Sequence, residues 1–328
     1  MLIFVKKKAM INAVRNTVLA ILNKNNYGYI SPSDFNLFAK QAQLDIFDEY
    51  FIAYNNQINK ENGRVSGSGY ADIKKGYEEV IDTFSITASL SKNILNEYVV
   101  PTPATTGSDY YLLNKILIYS TVTSSGVTTS TGGGNTELID SSATFQSDGV
   151  SVGDVVSVVL ANSVVTNLSV VSITNQTTLV VSVASLVTAN VSYSIYKKSD
   201  LKNEAEQVNH SKITMLNKSM ITAPNITFPA YTQQGNILTL HPDSLNEIGR
   251  VVSQYIRYPK DPKWTYVSLT GGEPIFDQSQ SDYQDFELPP DDVNNLVARI
   301  LQYSGMSIRE IATVQFGQSI EQQENQEQ

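Results

Sequence analysis

The sequence predicts an α+β fold. It combines a helical bundle, made of a long N-terminal helical hairpin plus C-terminal helices, with a β-rich region and an inserted small all-β barrel or sandwich domain. Three observations carry this. Apolar residues recur at helical spacing near both ends of the chain. Alternation replaces that spacing after Phe84. Beyond residue 135 the composition turns to Val, Ser and Thr, with almost no charge.

The helices come first. Over 9–25, Ile11, Val14, Val18, Ile21 and Leu22 form one stripe. Asn25, Asn26 and Gly28 make a turn. Ser31 then suits an N-cap, Pro32 the first helical position and Asp34 the first turn. A long helix over 32–59 follows. Phe35, Phe38, Ala42, Ile46, Tyr50 and Tyr54 mark its face, and Leu44, Phe47, Phe51 and Ile58 widen it. So wide an apolar girth predicts burial on more than one side. A shorter helix is predicted over 71–83.

Strands are predicted near 84–91, 110–122 and 206–217. Residues 123–135 read as a linker by composition. Five or six short strands should follow, separated by turns at Asp148-Gly149, Gly153-Asp154 and Asn175-Gln176. The inserted domain is placed at 126–197, and the main domain at 1–125 and 198–328. Gln234-Gly235-Asn236 predicts a hairpin turn. A helix capped by Asp243 or Ser244 is predicted over 243–252. Pro289-Pro290 opens another, with Val293, Leu296, Val297, Ile300 and Leu301 on one face and Gly305 closing it. Ser307 and Glu310 read as the capping box of a last helix.

Composition narrows the function. The 328 residues include 41% hydrophobic ones, enough for a core, and no Cys, which excludes disulfides, thiol catalysis and Cys-ligated zinc. A net charge of −9 argues against a broad grip on nucleic acid. The start reads as neither signal peptide nor membrane span, because Lys6–Lys8 follows a short apolar run. The two histidines, His210 and His241, have no metal-binding spacing. No nucleophile elbow or phosphate loop is present. Asp282, Asp285, Glu287, Asp291 and Asp292 raise a glycosidase pair or a Ca²⁺ site, but the last two fit first-turn helix acids better. Arg257, Lys260 and Lys263 are better read as partners of rings or acids than as a nucleic-acid site. No enzyme activity and no cofactor are expected.

One stretch, 241–292, concentrates prolines and rings. It holds Tyr255, Tyr258, the only Trp (Trp264), Tyr266, Phe276, Tyr283 and Phe286. Proline-stiffened backbone carrying so many rings suggests a fitted surface, either the protein's own core or a subunit contact. A second candidate contact is the C-terminal arm over 306–320, with Ile308, Ile311 and Phe316 as anchors.

YISPSDFNLFAKQAQLDIFDEYF, YIRYPKDPKWTY with FDQSQSDYQDFELP, and RILQYSGMSIRE together resemble the head-to-tail ring proteins of crAss-like podoviruses. The likeness covers about 10–120 and 200–317. It implies a non-enzymatic virion protein at the head-to-tail junction, made in the host bacterial cytoplasm. It also implies a homo-oligomeric ring, expected to be a dodecamer. Such a ring docks below the portal protein, meets neighbouring tail or ring proteins, and lines a channel for genomic DNA without reading its sequence. No membrane partner is implied. One rival reading is a virion-surface component that binds host or glycan through the inserted β domain. Another is a peptidoglycan-cleaving enzyme, which the missing catalytic constellation weakens.

Overall fold

The computed structural model describes residues 9–22, 30–62, 73–131, 136–159, 164–183, 189–200, 202–245, 247–268, 274–308 and 319. The fold is α+β. The chain divides into two compact units, 1–84 with 258–328, and 85–257.

The first unit holds the long helices. They are α1 (Met10–Leu22), α2 (Pro32–Asn62) and α3 (Ile73–Asp82). Ile11, Val14, Val18 and Leu22 of α1 are buried, as their spacing predicts. Ser31 caps α2: its Oγ accepts from Asp34 N at 3.1 Å and donates to Asp34 Oδ2 at 2.6 Å. Phe35, Ala39, Ala42, Ile46 and Phe47 are buried along the first half of α2. The expected burial on more than one side is met, since α2 packs on both α6 and α3, although Leu37 and Ile52 of the same helix stand exposed. The turn predicted at Asn25–Gly28 lies outside the described residues.

The second unit is β-rich. Its strands begin with β1 (Ser85–Ser89), β2 (Ser91–Lys92) and β3 (Glu97–Val99), followed by the short helix α4 (Pro103–Thr106) and β4 (Tyr110–Tyr119). Next come β5 (Ser124–Val127), β6 (Ser130–Thr131), β7 (Glu137–Ile139), β8 (Val155–Val159), β9 (Val165–Asn175), β10 (Thr178–Val181) and β11 (Ser192–Tyr196). The chain continues through β12 (Lys202–Glu204), β13 (Glu206–Gln207), helix α5 (His210–Leu216), β14 (Ala230–Gln234), β15 (Ile237–His241) and β16 (Val251–Arg257).

Two sheets share one core. Their orders are β1-β16-β4-β12 and β13-β14-β15-β3-β2. The chain passes between them at Leu90 and at Ala205, each a single residue between strands and each buried. Leu90 N donates to Val251 O and Ala205 N to Ile116 O, so both corners stay hydrogen-bonded. Leu90, Tyr98, Ile116, Ile118, Leu238, Leu240 and Val251 pack within. The predicted hairpin forms: Gln234 faces Ile237, and Gly235 takes φ +58° between them.

The inserted β sequence forms a seven-stranded sheet of order β5-β11-β8-β9-β10-β7-β6. Its two end strands are nearly one segment, because only Thr128 and Thr129 separate β5 from β6. Thr128 N donates to Val191 O and Thr129 N to Ile139 O, so that segment bonds to both ends of the sheet. A sheet closed on itself in this way is a barrel. Leu138, Phe145, Val156, Val158, Leu168, Val170, Leu179 and Ile195 fill it.

Four expectations are overturned here. Residues 124–131 are strands rather than linker; their Ser and Thr side chains do not prevent the backbone from pairing. Residues 210–216 are α5 rather than strand, because Asn209 Oδ1 accepts from Lys212 N at 2.8 Å and starts a helix. Residues 243–252 do not form a helix: Gly249 takes φ +68°, and Val251 and Val252 open β16. The C-terminal helix α6 (Val293–Ile308), entered through a 3-10 turn at Pro290–Asp292, does not stop at Gly305. Ser307 therefore lies inside α6 rather than at the start of a further helix. Glu310 lies outside the described residues.

In the first unit, α6 packs on both α1 and α2, and α3 packs on α2. Leu296, Val297, Ile300 and Leu301 form its buried face. A small ribbon, β17 (Tyr266–Val267) and β18 (Ile275–Phe276), completes this unit. No helix among the described residues is long and apolar enough to cross a membrane.

Candidate interaction surface of the aromatic segment

The described residues 258–268 and 274–289 are not helical, in keeping with their prolines, so their backbone polar groups need partners elsewhere. Side chains of α2 supply several. Trp264 N donates to Asn36 Oδ1 at 2.8 Å, and Asn36 Nδ2 donates to Trp264 O at 3.3 Å. One helical turn pair further on, Gln43 Nε2 donates to Lys260 O at 2.8 Å, while Gln43 Oε1 accepts from Glu287 N at 3.1 Å. Glu287 Oε2 accepts from Lys260 N at 2.8 Å. Gln43 is buried, so its own two bonds are partly shielded from water, while the Lys260–Glu287 bond is exposed. The segment is thereby laced to α2 along about two turns.

Trp264 is the hub of the rings. It is 2% exposed, its Nε1 donates to Asn12 Oδ1 at 3.0 Å, and the Arg15 guanidinium lies 3.8 Å from its ring centre. Tyr266 and Phe276 stack near it, with centroids 5.5 and 5.9 Å away, and Tyr283 meets Phe276 edge-on at 5.9 Å. Tyr266 is 40% exposed, so the ladder runs from core to surface.

The seven aromatic candidates do not form one surface. Trp264, Tyr266, Phe276 and Tyr283 make the ladder. Tyr258 sits against Phe47 at 6.2 Å and is partly exposed. Phe286 is buried beside α1. Tyr255 belongs to β16 of the other unit and is fully buried there, its hydroxyl 3.5 Å from Ser108 Oγ. Of the C-terminal anchors, Ile308 ends α6, while Ile311 and Phe316 lie outside the described residues.

Four of the five acids, Asp282, Asp285, Glu287 and Asp292, have structural partners. Asp285 accepts from Met10 N at 2.9 Å and Ile11 N at 2.7 Å, so it caps α1 from 275 residues away. Asp282 pairs with Lys263 at 2.6 Å, and the hydrogen bond from Lys263 holds its carboxyl below the usual range. Asp292 takes the Tyr50 hydroxyl, and burial followed by that bond pushes the Tyr50 pKa well up. Asp291 and Asp292 stand in the first turn before α6, as expected. Arg257 belongs to the other unit, in β16.

A groove of about 400 Å³ opens between the start of α1 and this segment. Met10, Ala13, Tyr283, Phe286, Leu288 and Val293 line it. Burial first, and the Asp285 charge next, push the Tyr283 hydroxyl up to about 12. Sequence reasoning missed the groove. It also missed Asn36, Gln43 and the capping role of Asp285, because pairs so far apart leave no local signature.

No protein-family model matches the chain, and no curated protein matches it significantly.

Proposed function

We propose that this chain is a non-enzymatic virion subunit that forms a head-to-tail ring below a portal and lines the DNA ejection channel. The reading starts from the resemblance to the ring proteins of crAss-like podoviruses. One observation supports it above the others. The stretches that carry the resemblance, far apart in sequence, lie mainly in α2, the aromatic segment and α6 of one compact unit, apart from Tyr255–Arg257, which end β16 of the other. The paired bonds of Asn36 and Gln43 lace the first two together.

In this reading α1 and α2 form a helical hairpin that bundles with α6. Residues 306–320 reach a neighbouring protein through Ile308, Ile311 and Phe316. The net charge of −9 per subunit lets DNA pass the lumen without sticking. Native mass spectrometry and electron microscopy of the purified chain, alone and with its portal, test the proposal. A discrete ring, expected to hold twelve copies, supports it. A trimer that binds glycans would instead favour the adhesin reading, and turnover of peptidoglycan would overturn the non-enzymatic one.

A further inference from the structure

In the first unit α3 and α6 both pack on α2, and a cleft of about 380 Å³ opens at their junction. Its walls are Ile46, Tyr50 and Ala53 of α2, Tyr77 of α3, Asp292 in the turn before α6, and Asn295 of α6. Helical spacing builds the floor, because positions 46, 50, 53 and 56 recur on one face of α2. The volume is that of a small-molecule site.

Charge is not balanced in this cleft. Glu49 lines it too, but Arg299 pairs with it. Asp292 has no such cation. Among the described residues its side-chain partners are the Tyr50 hydroxyl and the Asn295 amide, both neutral. The start of α6 offers Asp292 only a partial positive charge. That helix end accounts for an acid at 292, but not for the two tyrosines and the amides gathered around it. Burial first, then the Asp292 bond and charge, push the Tyr50 hydroxyl well up, and Tyr77 and Glu49 add to the shift. Surroundings that resist a negative charge on Tyr50 favour a positive one beside it.

We infer that this cleft binds a small organic cation, a primary ammonium on a short aliphatic stem. The inference goes beyond the ring reading and does not depend on it. An ammonium carries three donors, and Asp292, Asn295 and Asn56 offer acceptor oxygens. Tyr50 and Tyr77 supply aromatic rings, which attract cations. Ile46, Ile52 and Ala53 give the stem an apolar wall. A metal ion suits the cleft less well, since no group of three or more metal-ligating side chains occurs among the described residues.

Calorimetric titration with n-butylammonium chloride tests the inference. Saturable binding is expected. 1-Butanol has the same stem without the charge and should bind at least about tenfold more weakly. Asp292→Asn keeps the shape of the side chain and should weaken ammonium binding by about tenfold or more. Asp291→Asn removes an equal charge from the same turn but outside the lining, so it should bind as wild type does. Tyr77→Ala, on another helix, should also weaken binding, and Tyr77→Phe should retain most of it.

No saturable binding by the wild-type chain overturns the inference. Equal losses in Asp291→Asn and Asp292→Asn overturn it too, because they mean attraction to an acidic protein at large. Equal binding of butylammonium and butanol overturns the cation and leaves only an apolar slot. Should Asp292→Asn fail to fold, Tyr77→Ala decides, and an unchanged affinity there overturns the cleft as the site.

Discussion

Asn36 and Trp264 exchange hydrogen bonds in both directions, side chain to backbone, across 228 residues of chain. Replacing Asn36 with Ala leaves a donor and an acceptor of Trp264 without partners in a partly buried place. The expected cost is about 1–3 kcal/mol, the usual penalty for unmet buried polar groups. Trp264→Ala removes the ring beneath Arg15 and between Tyr266 and Phe276, and should cost about 3–5 kcal/mol. Denaturant melts of the free chain measure both. An Asn36→Ala variant as stable as wild type would mean that water replaces the pair without loss.

Asp285 caps α1 from a distant segment. Asp285→Ala should cost about 1–2 kcal/mol, because two helix N–H groups lose their acceptor and the helix dipole loses its anion. Asp285→Asn keeps an acceptor but not the charge, so it should fall between Ala and wild type. Amide hydrogen exchange at Met10 and Ile11 should rise in the same order. Exchange that does not change across the three proteins would reject the cap.

Much of this was visible in the sequence, and the failures share a cause. The helical stripes of α1 and α6 and the Ser31 cap of α2 are local patterns, and they were legible. So was the Gln234-Gly235-Asn236 turn, because a two-residue loop between alternating strands needs a residue that accepts positive φ. The short segment 210–216 was not, since its few apolar residues alternate while Asn209 decides for helix. Residues 124–131 looked like linker because strand pairing uses the backbone, and Ser, Thr and Gly do not announce it. At the candidate surface, the density of rings was plain, but which rings meet was not. Tyr255 and Trp264 are nine residues apart and belong to different units. Proximity in sequence said nothing about that separation.

The barrel is fastened to the neighbouring sheets rather than hung from them. Ser157 Oγ donates to Asn167 Oδ1 at 2.7 Å, and Asn167 Nδ2 donates to Ser89 Oγ of β1 at 2.8 Å. Tyr196 stacks on Tyr119 at 4.6 Å, and its hydroxyl reaches Ile248 O. Gly249 sits directly over Ser157, and a Cβ there would overlap the Ser157 side chain. Gly249→Ala should therefore cost more than its φ of +68° alone would explain, about 2–4 kcal/mol in all. Adding Ser157→Gly removes the overlap but not the backbone strain, so about half of the loss should return. Calorimetry of the double-mutant cycle reads this directly. Purely additive losses would mean that the two residues do not meet.

Asp140 and Tyr193 tie acid sensitivity to the barrel. Asp140 is buried, and Tyr193 donates to its Oδ2 at 2.7 Å. Burial alone would raise the Asp140 pKa. Hydrogen bonds from the Ser142 hydroxyl, the Tyr193 hydroxyl and Ser142 N outweigh burial and hold it below the ordinary value. The sign follows from the lowered pKa: the unfolded chain takes up the proton first as pH falls. This contribution to stability is therefore complete above the unfolded pKa of about 3.9 and is lost as pH drops from there through the lower folded value. Tyr193→Phe removes one of the outweighing bonds, so the folded pKa should rise and the window narrow. In melts taken between neutral pH and about pH 2, Tyr193→Phe should be less stable than wild type at neutrality, and the gap should close in acid. Asp140→Asn should flatten this part of the acid limb. A gap between wild type and Tyr193→Phe that stays constant down to the lowest pH would show that the bond does not depend on the Asp140 charge.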